Sequence, residues 1–154
     1  MKAFSTLPYS FLLSFPVLGE KVTIQKVGGQ ATLLVGGQPF EVHGVGGDGD
    51  LGKLKASGGN AVRTWAIDKN TQGILDDAHS KGIKVALGFW LGHERHGFRY
   101  TDWASNVNQA ESLFAAVKKY KDHPALLLWG LGNEMEGFEK SSNPAIYTPV
   151  SYTH

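Results

Sequence analysis

Beyond Glu20, apolar positions first come in short runs divided by paired glycines. Val22, Ile24 and Val27 lead to Gly28-Gly29, Ala31 to Val35 leads to Gly36-Gly37, and Phe40 to His43 follows. Two-residue turns with positive φ favour residues without a Cβ, so this pattern predicts β-hairpins over residues 20–39. From Phe40 onward, compact apolar runs alternate with segments of helical period. Phe40 to Gly44 reads as a strand. Leu51 to Ser57 reads as a short helix, with Asp48 or Asp50 as its cap and Gly58-Gly59 as its stop. Asn60 to Trp65 is the next strand. Thr71 to Lys81 is helical, with Ile74, Leu75 and Ala78 on one face and Gly82 closing it. Ile83 to Trp90 is a third strand, followed by a long polar loop from Gly92 to about Trp103. The clearest helix runs from Asn108 to Lys121. Val107, Ala110, Leu113, Phe114, Val117 and Tyr120 share its face, and Asn108 with Glu111 forms a capping-box pattern. Pro124 disfavours helix just before itself, and Ala125 to Gly132 is the fourth strand.

Ile83–Phe89 and Ala125–Leu131 are apolar almost throughout, as expected of strands covered on both faces in a parallel sheet. Four β units joined by three helices define an α/β chain. Two architectures use this repeat: the closed (β/α)8 barrel and the open, doubly wound sheet. Periodicity stops after Gly137. Asn143, Pro144 and Pro149 break residues 138–154, which read as an irregular tail where a fourth helix would be expected. At the other end, Lys2 precedes the apolar stretch Phe11 to Leu18. Val17 and Gly19 sit where a small-residue cleavage site would want them. Residues 1–19 therefore read as an export signal, interrupted by Pro8 and Pro16, and imply a secreted or periplasmic location.

Composition narrows the function classes. The chain has 154 residues, 42% hydrophobic and 19% charged, which suits one globular domain with a sizeable core. Lys plus Arg is 15 and Asp plus Glu is 14, a net charge of +1. That balance leaves no electrostatic footprint for nucleic acid or a membrane surface. Cysteine is absent, so disulfide scaffolds, thiolate metal sites and thiol nucleophiles are excluded.

Candidate chemistry concentrates at Leu128-Trp129-Gly130-Leu131-Gly132-Asn133-Glu134. This places an Asn-Glu pair at the carboxyl end of a buried strand, where α/β folds gather their reacting groups. A carboxyl group beside Trp129 and other apolar surface is expected to have its pKa raised, as a general acid requires. Asn133 offers a donor and an acceptor to a sugar hydroxyl. The plainer alternative makes Glu134 a solvated strand-end residue and Asn133 a turn former. Trp65, Trp90 and Trp129 lie near strand ends, with Tyr100 and Trp103 on the next loop; their rings suit sugar C–H faces or core packing. His43 is a candidate for a sugar hydroxyl or a satisfied core histidine. His93-Glu94-Arg95-His96 lacks the spacing of the zinc-protease helix, so no metal is expected. Gly44-Val45-Gly46-Gly47-Asp48-Gly49 satisfies a dinucleotide fingerprint, with Asp68 about twenty residues on. Asp50 and Gly52 delay its helix and put negative charge where a pyrophosphate would sit.

Several of these segments together resemble a known family. His123-Pro124, the apolar strand, Trp129 and Gly132-Asn133-Glu134 are similar to the acid/base signature of retaining β-glycosidases, most closely the family 2 glycoside hydrolase barrel domain. That group includes β-galactosidases, β-glucuronidases and β-mannosidases. Gln38-Pro39-Phe40 with Val42-His43-Gly44-Val45 resembles the family's first strand. Gly59-Asn60-Ala61-Val62-Arg63-Thr64 resembles its second and Gly82-Ile83-Lys84-Val85 its third. The resemblance covers about residues 33–137. It implies Glu134 as general acid/base, Asn133 as the contact to the substrate's 2-hydroxyl, and Arg63 as the residue orienting the nucleophilic carboxylate. Arg63 paired structurally with an acidic neighbour is the alternative. Substrate contacts are expected from His43, Trp65, Trp90 and Trp129, and no cofactor.

The departures matter equally. The family's nucleophile is a second glutamate on the seventh strand, and retaining chemistry needs the two carboxyl groups roughly 5–5.5 Å apart. Four barrel strands do not reach that position, and Glu94, Asp102 and Glu136 are poor replacements. The resemblance therefore implies the first half of a TIM-barrel glycosidase over residues 40–137, with the acid/base glutamate but not its nucleophile. A half barrel leaves open strand edges, so self-association or pairing with a second half is expected. A carbohydrate-binding half-barrel without catalysis, or a dinucleotide-binding domain, is the alternative.

Overall fold

A computed structural model describes residues 19–135, and residues 1–18 of the expected export signal, Glu136 and the irregular tail lie outside the described residues. Two sheets and three helices follow one another. β1 (Val22–Val27), β2 (Gln30–Val35) and β3 (Gln38–Pro39) form an antiparallel sheet with Val22 opposite Val35 and Leu34 opposite Pro39. Both turns are glycine pairs with positive φ, 61° and 85° at Gly28-Gly29 and 58° and 80° at Gly36-Gly37. That is the twist a tight hairpin needs.

β4 (Gly44–Gly46), β5 (Ala61–Arg63), β6 (Lys84–Phe89) and β7 (Leu126–Leu131) form a parallel sheet in chain order. A doubly wound sheet would send its fourth strand to the far side of the first. The three connecting helices, α1 (Leu51–Ala56), α2 (Thr71–Ser80) and α3 (Trp103–Tyr120), meet one core. Leu51, Leu75, Ala78 and Tyr120 pack with Val62, Val85 and Leu87. Val62 is opposite Val85, and Val85 and Leu87 are two apart on β6, so all three helices cover the same face. Consecutive order with one-sided helices leaves the dinucleotide alternative without its switch point. Asp50 removes its donors too, because its carboxylate accepts from the backbone N–H of Gly52 (2.8 Å) and Lys53 (3.1 Å). A pyrophosphate would need those groups.

Two expected boundaries move. Phe40–His43 is not a strand, and the first parallel strand starts at Gly44. The Asn60 side chain bridges that segment instead, accepting from His43 N (2.8 Å) and donating to Glu41 O (2.7 Å). Gly44 can pair because a Cβ there would lie 2.5 Å from the Ala61 carbonyl oxygen. α3 begins at Trp103 rather than Asn108, because Asp102 caps it by accepting from Ala104 N (3.2 Å). The loop before it ends where expected, at Asp102, and holds a 3₁₀ turn, Glu94–His96. The buried face of α3 is Leu113, Ala116 and Tyr120, and Phe114 is exposed. No described helix is long and apolar enough to cross a membrane.

Candidate functional site

Arg63, Trp90 and the Gly132–Glu134 turn lie at or just past the carboxyl ends of β5, β6 and β7. Arg63 is the last residue of its strand and faces away from the helices, because its neighbour Val62 takes the core side. Its guanidinium lies 4.2 Å from the centroid of the Trp65 ring, a cation–π contact. From there Nη2 donates to Asn133 Oδ1 at 3.1 Å, spanning the width of β6. Thr64 turns inward and its Oγ1 accepts from Gly88 N (3.1 Å), locking the ends of β5 and β6 together. Gly88 allows this approach, since a Cβ there would meet the Thr64 carbonyl oxygen at 2.2 Å.

The Asn133-Glu134 turn is held under strain. Gly132 has φ +71° and its N–H bonds Phe89 O at 2.9 Å. Glu134 has φ +48°, the one non-glycine residue with positive φ among the described residues. Such a conformation costs of order 1–3 kcal/mol and persists only where the surroundings over-determine it. Two anchors do so here. Met135 packs beside Phe89, Leu91, Leu113 and Ala116. Arg95 reaches over from the loop after β6, with Nη1 3.4 Å from the Glu134 carbonyl oxygen and Nη2 3.5 Å from Oε2.

That loop is itself pinned. Gly92 N donates to Gln109 Oε1 (2.7 Å), and the Tyr100 hydroxyl donates to Gly92 O (2.7 Å). Burial pushes the Tyr100 phenol up, so it stays a donor. Asn106 Nδ2 donates to Tyr100 O (2.7 Å) and Asp102 O (2.9 Å). His93 is 3% exposed, and its ring stacks between Trp90 (4.8 Å) and His96 (5.3 Å). Burial first, and then the Arg95 guanidinium, hold His93 below the usual imidazole range. The Asn133 backbone pulls the other way, yet neither ring nitrogen reaches a partner in hydrogen-bonding geometry. His93 is therefore a neutral ring with an unused donor and acceptor.

The candidates thus divide. Arg63, Trp65, Asn133 and Glu134 form the mouth of the sheet, with Trp90 beside them. His43 does not join them. Because β4 starts after it, His43 lies at the amino end of the strands, level with Asn60, and its Nε2 sits 3.7 Å from Glu41 Oε2. Trp129 pairs with Leu87 and packs on the helix-side core. With that ring turned away, Glu134 lacks the apolar cover expected from the sequence: its side chain is 68% exposed and faces Arg95. The sequence reading gave Arg95 and His93 no role here; their signal was a charged, histidine-flanked run directly after a buried strand. Asp102, a weak nucleophile candidate, is occupied by the cap of α3 and by Ser105, whose hydroxyl and N-terminal backbone hold its carboxyl below the ordinary range. Among the described residues no group of three or more acidic or histidine side chains could hold a metal ion.

No family model matches the sequence, and no curated protein matches it. Among solved structures, a β-glucuronidase from Ruminococcus gnavus, in complex with a C6-substituted uronic isofagomine, resembles this fold with a TM-score of 0.55 at 16% identity. The alignment covers 86% of this chain and 25% of that one, so the chain spans about a quarter of the neighbour's length. What the likeness defines is a class of fold, glycosidase-like and α/β, with a parallel four-stranded sheet and an antiparallel three-stranded one.

Proposed function

We propose that this chain carries the acid/base half of a retaining β-glycosidase site, on the first βα units of a (β/α)8 barrel. The observation that carries the reading is the Arg63–Asn133 hydrogen bond of 3.1 Å across the sheet's mouth, beside a glutamate held at φ +48°. Glu134 donates a proton to the leaving glycosidic oxygen, then takes one from water or an acceptor hydroxyl. Asn133, its amide oriented by Arg63, contacts the 2-hydroxyl, and Trp65 offers a flat apolar face to the ring. The matching nucleophile of the family belongs to a later strand than β7, so the described residues bind a β-glycoside but turn it over slowly or not at all. The exposed faces of Leu128 (43%) and Val45 (55%) suit further βα units packed against them.

Azide tests this, because a small anion can attack the anomeric carbon where a carboxylate is missing. Phenyl β-glycosides should bind to the wild-type chain, and azide should release phenol from them. Glu134→Gln should lower that release by about 10²–10⁴, the usual worth of a general acid, while binding persists. Glycosides that bind without azide-dependent release would favour the non-catalytic reading, for which the exposure of Glu134 speaks. A folded chain that binds no glycoside sinks both. Turnover without azide that vanished in Glu134→Gln would place the nucleophile within this chain.

A further inference from the structure

The two outer strands of the parallel sheet fit each other. Among the described residues β4 and β7 are its edges, each paired on one side only. Edges of this kind are usually blunted by charge or proline. Gly44–Gly46 and Leu126–Leu131 carry neither. Ala61 N donates to His43 O (3.4 Å) and Gly47 N to Arg63 O (2.9 Å). Successive residues of a strand bond to opposite sides, so His43, Val45 and Gly47 face β5, and the N–H and C=O groups of Gly44 and Gly46 point outward. On the other edge Gly132 N donates to Phe89 O, so the groups of Trp129 and Leu131 point outward by the same rule.

Barrel geometry sets how these edges would meet. A closed (β/α)8 barrel has a shear of about eight residues per circuit, hence about four per half circuit. With helices outside and right-handed crossovers, successive strands lie to the right of an outside observer and lean the same way. A line perpendicular to the strands therefore descends toward earlier residues as strand order advances. That line runs from Gly46 through Arg63 and Ala86 to Leu128. On a second copy placed beside β7 it arrives about four places below Gly46, at Val42. Leu128 then faces the second copy's Val42, and Leu131 faces its Val45. Val42, Val45 and Leu128 are all exposed in the single chain. By strand alternation Leu128 and Val42 share the inner face with Arg63, and Leu131 and Val45 share the helix side with Val62. The hydrogen bonds match as well: Leu131 N–H reaches Gly44 O, and Gly46 N–H reaches Leu131 O. A slip of one residue would offer groups already bonded to β5 and turn each side chain to the wrong face.

We propose that two copies of this chain close one eight-stranded barrel, β7 of each pairing with β4 of the other about a two-fold axis. Two-fold symmetry makes the contact twice and leaves no strand edge. β4 lengthens through Val42 where it meets Leu128. Two Arg63–Asn133–Glu134 clusters then share one mouth. The seventh place around it is the second copy's β6, which ends on Phe89, so closure adds no carboxyl group from that strand. The proposal rests on the barrel reading above and not on the proton-donating role of Glu134.

Sedimentation equilibrium of the full chain should give twice 16.7 kDa. The chain has no cysteine, so Val45→Cys with Leu131→Cys introduces the only pair of thiols. Residues opposed on neighbouring strands lie about 4.8 Å apart, within disulfide reach. Mild oxidation should give a covalent dimer of this variant. The two single variants, and the out-of-line pair Val45→Cys with Leu128→Cys, should give none under the same conditions. Leu128→Lys and Val42→Glu each bury an unpaired charge and should weaken dimerisation by about ten-fold or more, and the two together should recover it. Circular dichroism should report unchanged folds. A monomer at every concentration, cross-linking no faster in line than out of line, or growth past two copies overturns the closure and leaves the acid/base reading to its azide test. A cross-linked dimer that binds no glycoside keeps the closure and removes the acid/base reading.

Discussion

The backbone of Glu134 yields a measurable consequence independent of any substrate. A residue with a Cβ in the left-handed region carries about 1–2 kcal/mol of steric cost. Glu134 does so at φ +48°. Glu134→Gly and Glu134→Ala both delete the carboxylate and its 3.5 Å pairing with Arg95, an exposed contact worth about 0–1 kcal/mol. They differ in the Cβ alone. Glycine relieves the steric cost but loses about 0.5–1 kcal/mol through its freer unfolded chain. The glycine variant should therefore exceed the alanine variant by about 0.5–1 kcal/mol, and equal or slightly exceed the wild type. Urea denaturation reads this directly. With m of about 1–3 kcal/mol/M for a chain this small, the two midpoints should separate by a few tenths of a molar unit, at equal m. An alanine variant as stable as the glycine variant would show that the turn is not strained, and the argument that stability is given up for the placement of this carboxylate would fall.

Two further outcomes follow from the geometry. Gly88→Ala drives a Cβ to 2.2 Å from the Thr64 carbonyl oxygen and 2.6 Å from the Trp65 carbonyl carbon, both backbone atoms. It should cost about 1–3 kcal/mol in chemical denaturation, and an unchanged midpoint would contradict the close approach of β5 and β6. His93 has a folded-state pKa below its unfolded value of about 6.5, so the unfolded chain binds more protons between the two. Stability from this group is complete above about pH 6.5 and declines as pH falls through that window; His93→Gln should flatten the slope, and a slope that persists in the variant would refute the assignment. Asp76, held low first by its hydrogen bond from His123, and Asp102 lose their contribution only below about pH 4, so they do not overlap.

Much of the fold was legible because it is written in short-range pattern. The Gly28-Gly29 and Gly36-Gly37 turns, the apolar runs of β6 and β7, and Leu75 and Ala78 on α2 each depend on periodicity or on a residue's own φ preference. Glu134, Asn133 and Arg63 were legible as candidates for a related reason: each sits at or just past the carboxyl end of a strand, and strand ends can be counted. Of the boundaries that moved, one was decided at a distance and one by a competing local cap. Asn60 displaces the first strand by bonding across seventeen positions, and Asp102 competes with Asn108 as cap for the same helix. A shift of a few residues then decided whether His43 stood at the amino or the carboxyl end of its strand.

What the chain determines alone is an alternation of strands and helices, parallel pairing, and which strand ends carry polar groups, since these follow from local geometry and burial. Only the tertiary structure decided that Arg95 meets Glu134 across thirty-nine positions, that Trp129 turns to the core, and that His93 is sealed between two rings. Trp129 faces the core through its pairing with Leu87, whereas the Arg95 and His93 outcomes depend on how a loop is packed, by Gln109 on Gly92 and by Phe98 against the same glycine. Contacts between residues far apart in sequence carry no periodic trace, so pattern cannot announce them.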